Sequence, residues 1–266
     1  MTRNSTPKGA PRGPRRNPEE IKNLLVATGI QIVLNEGLAN VARCLTFKNA
    51  YVILENRGVR LTNASVIGRA FDNQEDFQRQ VFAAIAGSDS EDFNAVAVMI
   101  YEEILVKSDR STVEGRWRAL SELCRFGSKV MLDSLHNSPT WRVWIGIWAL
   151  TGSSPPSRER DTITKALKKS YTALNRDTTD VFNAAIQYLG FRLKEPYTMG
   201  KVATIITSLS EGSSIRDLVD RPGMRYLNLP TGPRGASERW TLFGVGLFAI
   251  AREFVEIDPA WIPPGD

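Results

Sequence analysis

Residues 46–86 hold three helix-forming signatures in so short a stretch that few folds accommodate them. Thr46 precedes a segment carrying Ala50, Tyr51, Ile53 and Leu54 that stops at Gly58. Asn63 caps a short helix in which Ile67, Ala70 and Phe71 fall at i, i+3 and i+4, so these three are expected to face inward. Ser65, Gly68 and Arg69 then share the outer face. Asn73 opens a third helix, with Phe77, Val81, Phe82 and Ile85 inward and Gly87 closing it. Two short helices joined by a tight turn and backed by another form a helix-turn-helix, which presents its second helix to the major groove of duplex DNA. A mid-helix glycine costs about 1 kcal/mol relative to alanine. Gly68 therefore reads either as a close approach of backbone to a base edge or phosphate, or as a tolerated surface glycine.

The rest of the chain is helical in pattern, and the expected fold class is all-α. Asn17-Pro18-Glu19-Glu20 supplies a cap, a proline at the first helical position and a glutamate three residues after the cap. Ile21, Leu24, Leu25, Thr28, Ile32 and Val33 follow at helical spacing up to Gly37. Further helical segments are expected at 91–107, 112–135, 139–150, 157–174, 178–191, 198–211 and 238–255. No alternating strand pattern stands out, and 216–237 reads as a long, exposed, irregular connection. The domain reading is a disordered basic arm (1–16), a helix-turn-helix domain (17–86) and a larger helical domain (87–266).

The arm follows from charge. Arg3, Lys8, Arg12, Arg15 and Arg16 account for the whole formal net charge of +5 and leave residues 17–266 neutral. A segment of Pro, Gly, Arg and Ser cannot bury a core. It is either a solubilising tail or an arm whose Arg12, Arg15 and Arg16 lie on phosphates or enter a minor groove. Arg60 in the turn and Lys48 on the preceding helix are also placed to meet phosphates. Asn63 would cap the reading helix, while Thr62, Ser65 and Arg69 reach phosphate or base.

Several chemistries are disfavoured. Cys44 and Cys124 lack CxxC spacing, so a reduced, cytoplasmic protein without a disulfide framework is expected. No apolar run approaches the ~18–20 residues a membrane span needs, and no signal peptide is expected. His136 is the only histidine, so no zinc site and no cofactor are expected. Gly244-Val-Gly246-Leu-Phe-Ala249 matches a dinucleotide fingerprint formally but lies within a helical pattern, where small residues for helix packing explain it better. No nucleophile has a general base, and an enzyme is not expected.

Trp141, Trp144 and Trp148 recur at i, i+3 and i+7, with Trp117 and Phe126 on the helix before and Phe182 and Ile186 on a later one. This stripe is either ordinary core or the wall of a pocket for a small hydrophobic, planar or cationic effector, oriented by Glu122 or Asn183. Residues 240–254, with Trp240, Phe243, Leu247, Phe248 and Phe254, are apolar around most of a helix. Such a helix must be buried on more than one side, either by a partner subunit or within one chain.

Gly58-Val59 at the turn and Phe71-Asp-Asn73-Gln74-Glu75-Asp-Phe77 at the exit resemble the TetR-type transcriptional regulators, as do Tyr188-Leu-Gly190…Glu211-Gly212 and the helix near 239–254. The resemblance covers roughly 17–86 and 187–256. It departs at Gly68, where an aromatic is usual, at Gln74, where a lysine is common and any DNA contact would be uncharged, and in the longer spacing from Thr46 to Phe71. It implies a homodimeric regulator, most simply a repressor, that binds operator DNA and is released by a small ligand. The last two long helices would form the dimer interface, adding Ile205 and Leu209 to it. A helical adaptor with a degenerate DNA-binding head, or a helical enzyme, are the alternatives.

Overall fold

The computed structural model describes residues 16–88, 100 and 104–262. Among them the chain forms two compact units that divide between Ala84 and Ile85. Both are built from helices, and the fold is all-α apart from two small two-stranded sheets. Arg12, Arg15 and most of the helix expected at 91–107 lie outside the described residues.

The first unit begins with α1 (Pro18–Glu36), where Asn17 accepts from the Glu20 N–H and Glu20 reaches back to the Asn17 N–H. A single 3-10 turn (Leu38–Asn40) and α2 (Val41–Cys44) lead to α3 (Phe47–Asn56), capped by Thr46. Gly58 adopts φ 78° at the end of α3. Its N–H bonds to Glu55 and that of Val59 to Leu54, which satisfies the orphan carbonyls of the last turn. Then follow α4 (Asn63–Val66) and α5 (Gln74–Ala86), the latter opened by Asn73, whose side chain accepts from the Asp76 N–H at 2.8 Å.

Phe47, Phe71 and Phe77 form the centre of this unit. Phe47 stacks on Phe77 at 4.9 Å and Phe71 meets Phe77 edge-on at 5.3 Å. Gly29 lets α1 approach closely, because a Cβ there would lie 2.4 Å from the Val81 side chain. At the start of α5, burial pushes the Asp76 carboxyl up. The bonds from Gln80, from the Asp72 N–H and from Arg79 outweigh that and hold it below the usual range.

The second unit contains α6 (Val113–Asn137), α7 (Pro139–Ser153), α8 (Arg158–Tyr188), α9 (Met199–Val219), α10 (Arg221–Met224) and α11 (Leu242–Phe254). Thr112, Ser138, Ser157 and Thr241 cap α6, α7, α8 and α11. β1 (Phe191–Leu193) pairs antiparallel with β4 (Val255–Ile257), and β2 (Arg225–Pro230) with β3 (Ser237–Thr241).

Three expectations are corrected here. The segments 157–174 and 178–191 are one helix, because Arg176-Asp-Thr-Thr179 contains neither glycine nor proline and Thr178 faces inward, 1% exposed. α9 runs on through Gly212 to Val219, with Ser213 and Ser214 buried. Finally, 225–241 is a β-hairpin. Its tip presses against α6, where a Cβ at Gly232 would lie 2.6 Å from the Arg118 Cα, and Arg239 lies over the Tyr226 ring at 3.8 Å. Trp240 therefore belongs to a strand, its indole N–H donating to Leu229 at 3.2 Å.

Where α6, α9 and the hairpin converge, Asp217 is nearly fully buried and bonded by Arg225 at 3.2 Å. Arg225 also reaches Asp133 at 3.0 Å, and His136 lies 3.6 Å from Asp217. The lone histidine thus lies beside a half-buried Asp–Arg ion-pair cluster.

Candidate functional site

In the first unit, α4 is shorter than the expected reading helix. It starts after Thr62, which is extended at φ −133°, so Thr62 and not Asn63 is the capping residue. It ends at Ile67, which returns to extended backbone. Gly68 follows at φ 74°. The Val66 carbonyl accepts from the N–H groups of Arg69, Ala70 and Phe71, and the Gly68 N–H bonds back to Phe71 at 2.8 Å. The chain turns sharply here. Val66 and Phe71 are the inward pair, at 0% and 2% exposed, while Ile67 is exposed at 43%. Gly68 is accordingly a left-handed turn residue and not a mid-helix glycine.

A Cβ at Gly68 meets nothing within 4 Å. Gly68→Ala should therefore destabilise the chain by about 1–2 kcal/mol, the cost of left-handed backbone for an L-residue. Within a helix the same change would stabilise by about 1 kcal/mol, and urea unfolding tells the two apart.

Arg16, Arg60, Arg69 and Ser65 line one groove of about 630 Å³, with Asn17, Pro18, Ile21 and Leu61 completing its wall. Arg16 and Arg69 are exposed. Arg60 pairs with Glu55 at 3.0 Å, but its side chain is 85% exposed, so this bond is weak and readily exchanged. The Ser65 hydroxyl is engaged locally, donating to the Thr62 carbonyl at 2.7 Å and accepting from the Thr62 N–H at 3.0 Å. Lys48, Thr62 and Asn63 are exposed but lie outside the groove wall. Gln74 is corrected. Its amide accepts from the Phe47 N–H at 2.9 Å and donates to Leu45 at 2.8 Å, which ties α5 to the start of α3 and turns the side chain inward.

The second unit contains a partly open apolar cavity of about 700 Å³ walled by α6, α8, α9 and α11 together with Ile100, Leu105 and Val106. Of the residues expected to bind an effector, Phe182 and Ile186 line it. Trp117 packs edge-on against Phe191 at 4.7 Å, Glu122 is ion-paired with Arg125, and Asn183 accepts from Gln187 at 3.3 Å. Phe126 is half-buried outside the cavity wall. The tryptophan stripe is likewise not a cavity wall. Trp141 stacks on Trp144 at 5.2 Å, Trp144 meets Tyr171 edge-on, and Trp148 is 47% exposed. The stripe joins α7 to α8. Tyr171 donates to Glu211 at 3.2 Å, and burial pushes the Glu211 carboxyl up.

The cavity residues that were missed include Leu120, Leu123, Cys124, Gly127 and Met131 of α6. They follow the i, i+3, i+4, i+7 and i+11 spacing of one helix face, which was visible but looks like any core face. Helix α11 is also reassigned. Trp240, Phe243 and Leu247 are at most 6% exposed within a single chain. Gly244 sits against Ser128 of α6 and Gly246 against Leu209 of α9. Contacts within one chain thus bury the side of the helix that carries Phe243, Gly244 and Leu247, while Leu242 stays 41% exposed. Phe243, Leu247 and Phe254 line the cavity; Leu209 and Phe248 are half-buried, and Ile205 is 42% exposed.

No single helix among the described residues is long and apolar enough to cross a membrane. No protein-family model and no curated protein matches the sequence. The chain is similar to solved structures of transcriptional regulators, two of which follow. A TetR-family transcriptional regulator from Agrobacterium tumefaciens is 13% identical over 77% of this chain and 90% of its own, with a TM-score of 0.42. A protein from Pseudomonas aeruginosa PAO1 described as a transcriptional regulator is 14% identical over 78% of this chain and 83% of its own, with a TM-score of 0.37.

Proposed function

We propose that this protein is a sequence-specific DNA-binding regulator of transcription, a homodimeric repressor released by a small ligand. The observation that carries the reading is the groove in which Arg16, Arg60 and Arg69 converge beside α4, within a unit built as helix, Gly58 turn and helix. Three guanidinium groups with no buried carboxylate among the groove's walls suit a run of phosphates. Lys48, Thr62 and Asn63 would add contacts from the exposed surface, and the segment containing Arg12 and Arg15 would extend the phosphate track. Ligand binding is assigned to the apolar cavity of the second unit, and dimerisation to the side of α9 bearing Ile205 and Leu209, with Phe248 of α11.

A second reading, an adaptor with a degenerate head, is favoured by the single turn of α4 and by the local engagement of the Ser65 hydroxyl. Selection of random duplex DNA by the full chain separates the two. A regulator enriches a two-fold symmetric motif with half-sites about one helical turn apart. Its preference over non-specific DNA should be on the order of 10³-fold or more at physiological salt. Absence of enrichment even at low salt removes the regulator reading.

A further inference from the structure

We infer that the cavity of the second unit takes an uncharged, largely aliphatic molecule, of the class of medium-chain alcohols, acyl esters or isoprenoids, and excludes ionised ligands. This names the ligand of the site to which the proposed reading assigns release. The cavity, about 700 Å³, has room on the order of twenty water-sized groups at ~30 Å³ each. Leu120, Met131, Val202, Ile206, Leu247 and Ile250 are typical of its wall, and no charged side chain among the described residues lines it. Empty, it would forfeit dispersion contacts over the whole wall, and water would find too few partners there to replace them.

Of the wall's few polar side chains, Ser128 and Met131 are already engaged. The Gly244 N–H donates to the Thr241 hydroxyl, which pairs with the Ser128 hydroxyl at 2.9 Å, and Ser128 donates to the Arg125 carbonyl at 2.9 Å. Each hydroxyl proton in that relay therefore has an acceptor within the protein. The Met131 sulfur accepts from Ser210 at 3.2 Å. Burial pushes the Cys124 thiol up, which keeps it neutral. A carboxylate or ammonium carried into such surroundings would lose its hydration with no counter-charge among the described wall residues to replace it. The aromatic contribution is three separate phenylalanines, Phe182, Phe243 and Phe254. Among the described residues none of these rings stacks on another, so the wall is not a stacking box for a planar ligand.

The test uses the full chain and a matched twelve-carbon series: dodecan-1-ol, dodecanoate and dodecyltrimethylammonium. Binding is read by native mass spectrometry and by the shift in unfolding temperature. Dodecanol should bind one per chain and raise the unfolding temperature, with both ions at least 100-fold weaker. Equal or tighter binding of either ion, or no binding of the alcohol, overturns the inference. Gly127→Leu fills the cavity from α6, where a Cβ meets only the Ile100 side chain, at 3.5 Å. It should weaken dodecanol binding at least ten-fold while unfolding stays cooperative. Should that variant misfold, Ala251→Leu repeats the test from α11. Wild-type affinity in the folded variants counts against the cavity as the site. Because the readout does not involve DNA, a chain that binds dodecanol but selects no DNA sequence loses only the regulator reading. A chain that selects DNA but takes no alcohol loses only the present one.

Discussion

Asp217→Ala should lower the stability of the chain by about 3 kcal/mol, near the bottom of the range for removing one partner of a buried ion pair. Asp217 is 1% exposed and Arg225 only 14% at the side chain, so the guanidinium left behind would be largely cut off from water. The loss stays near the bottom of that range because Arg225 keeps Asp133 at 3.0 Å. For a chain of this size the fall in unfolding temperature should be roughly 6–12 °C. Asp133→Ala, at a position 32% exposed, should cost less than half as much. Replacing Asp217 and Arg225 together by Leu and Met should recover most of the loss, because no buried charge then remains unpaired. Urea unfolding of the four proteins checks the order. A single Asp217→Ala that unfolds like the wild type would remove the cluster from any role in stability.

The triple change of Arg16, Arg60 and Arg69 to alanine should leave the urea midpoint within about 0.5 kcal/mol of wild type, because all three side chains are exposed. Affinity for a selected operator should fall roughly 100-fold per reading head, at about 1 kcal/mol for each exposed arginine–phosphate pair removed. The logarithmic salt slope should become shallower by about 0.9 for each phosphate released, or nearly three per head. Lys48→Ala, outside the groove, should change the slope by no more than about one. Fluorescence anisotropy between 50 and 300 mM salt gives both quantities. An unchanged slope in the triple variant would place the phosphates elsewhere on the protein.

Caps were the most legible part of the sequence. Asn17, Thr46 and Asn73 all act where expected, since a cap is a bond to a backbone group three residues away and needs no tertiary partner. The turn at Gly58 was legible for the same local reason. The end of α4 was not. Ile67, Ala70 and Phe71 carry a helical spacing, and the reversal at Gly68 that exposes Ile67 depends on Val66 and Phe71 both reaching the core. Nor does composition distinguish a leucine facing a cavity from one facing a filled core, so Leu120 and Leu123 looked ordinary while the tryptophans attracted notice. Gln74 illustrates a third limit. Its partners Leu45 and Phe47 lie 29 and 27 residues away, and nothing in the local sequence indicates such a bond. The hairpin was hidden because its strands barely alternate, with exposed residues running through both.

The uninterrupted course of α8 has a mechanical meaning. Its 31 residues contain neither glycine nor proline, and at 1.5 Å per residue they form a rod about 46 Å long. Phe182 and Ile186 touch the cavity near one end, while Tyr171 abuts Trp144 nearer the middle. A rod of this kind has no joint at which to absorb a displacement. Pushed outward at its cavity end and tilted by about 3° about the Tyr171 contact, it would carry the opposite end, about 20 Å away, through about 1 Å. Expansion of the cavity would thus reach the Arg158 end as rigid tilt, and not as local rearrangement of side chains.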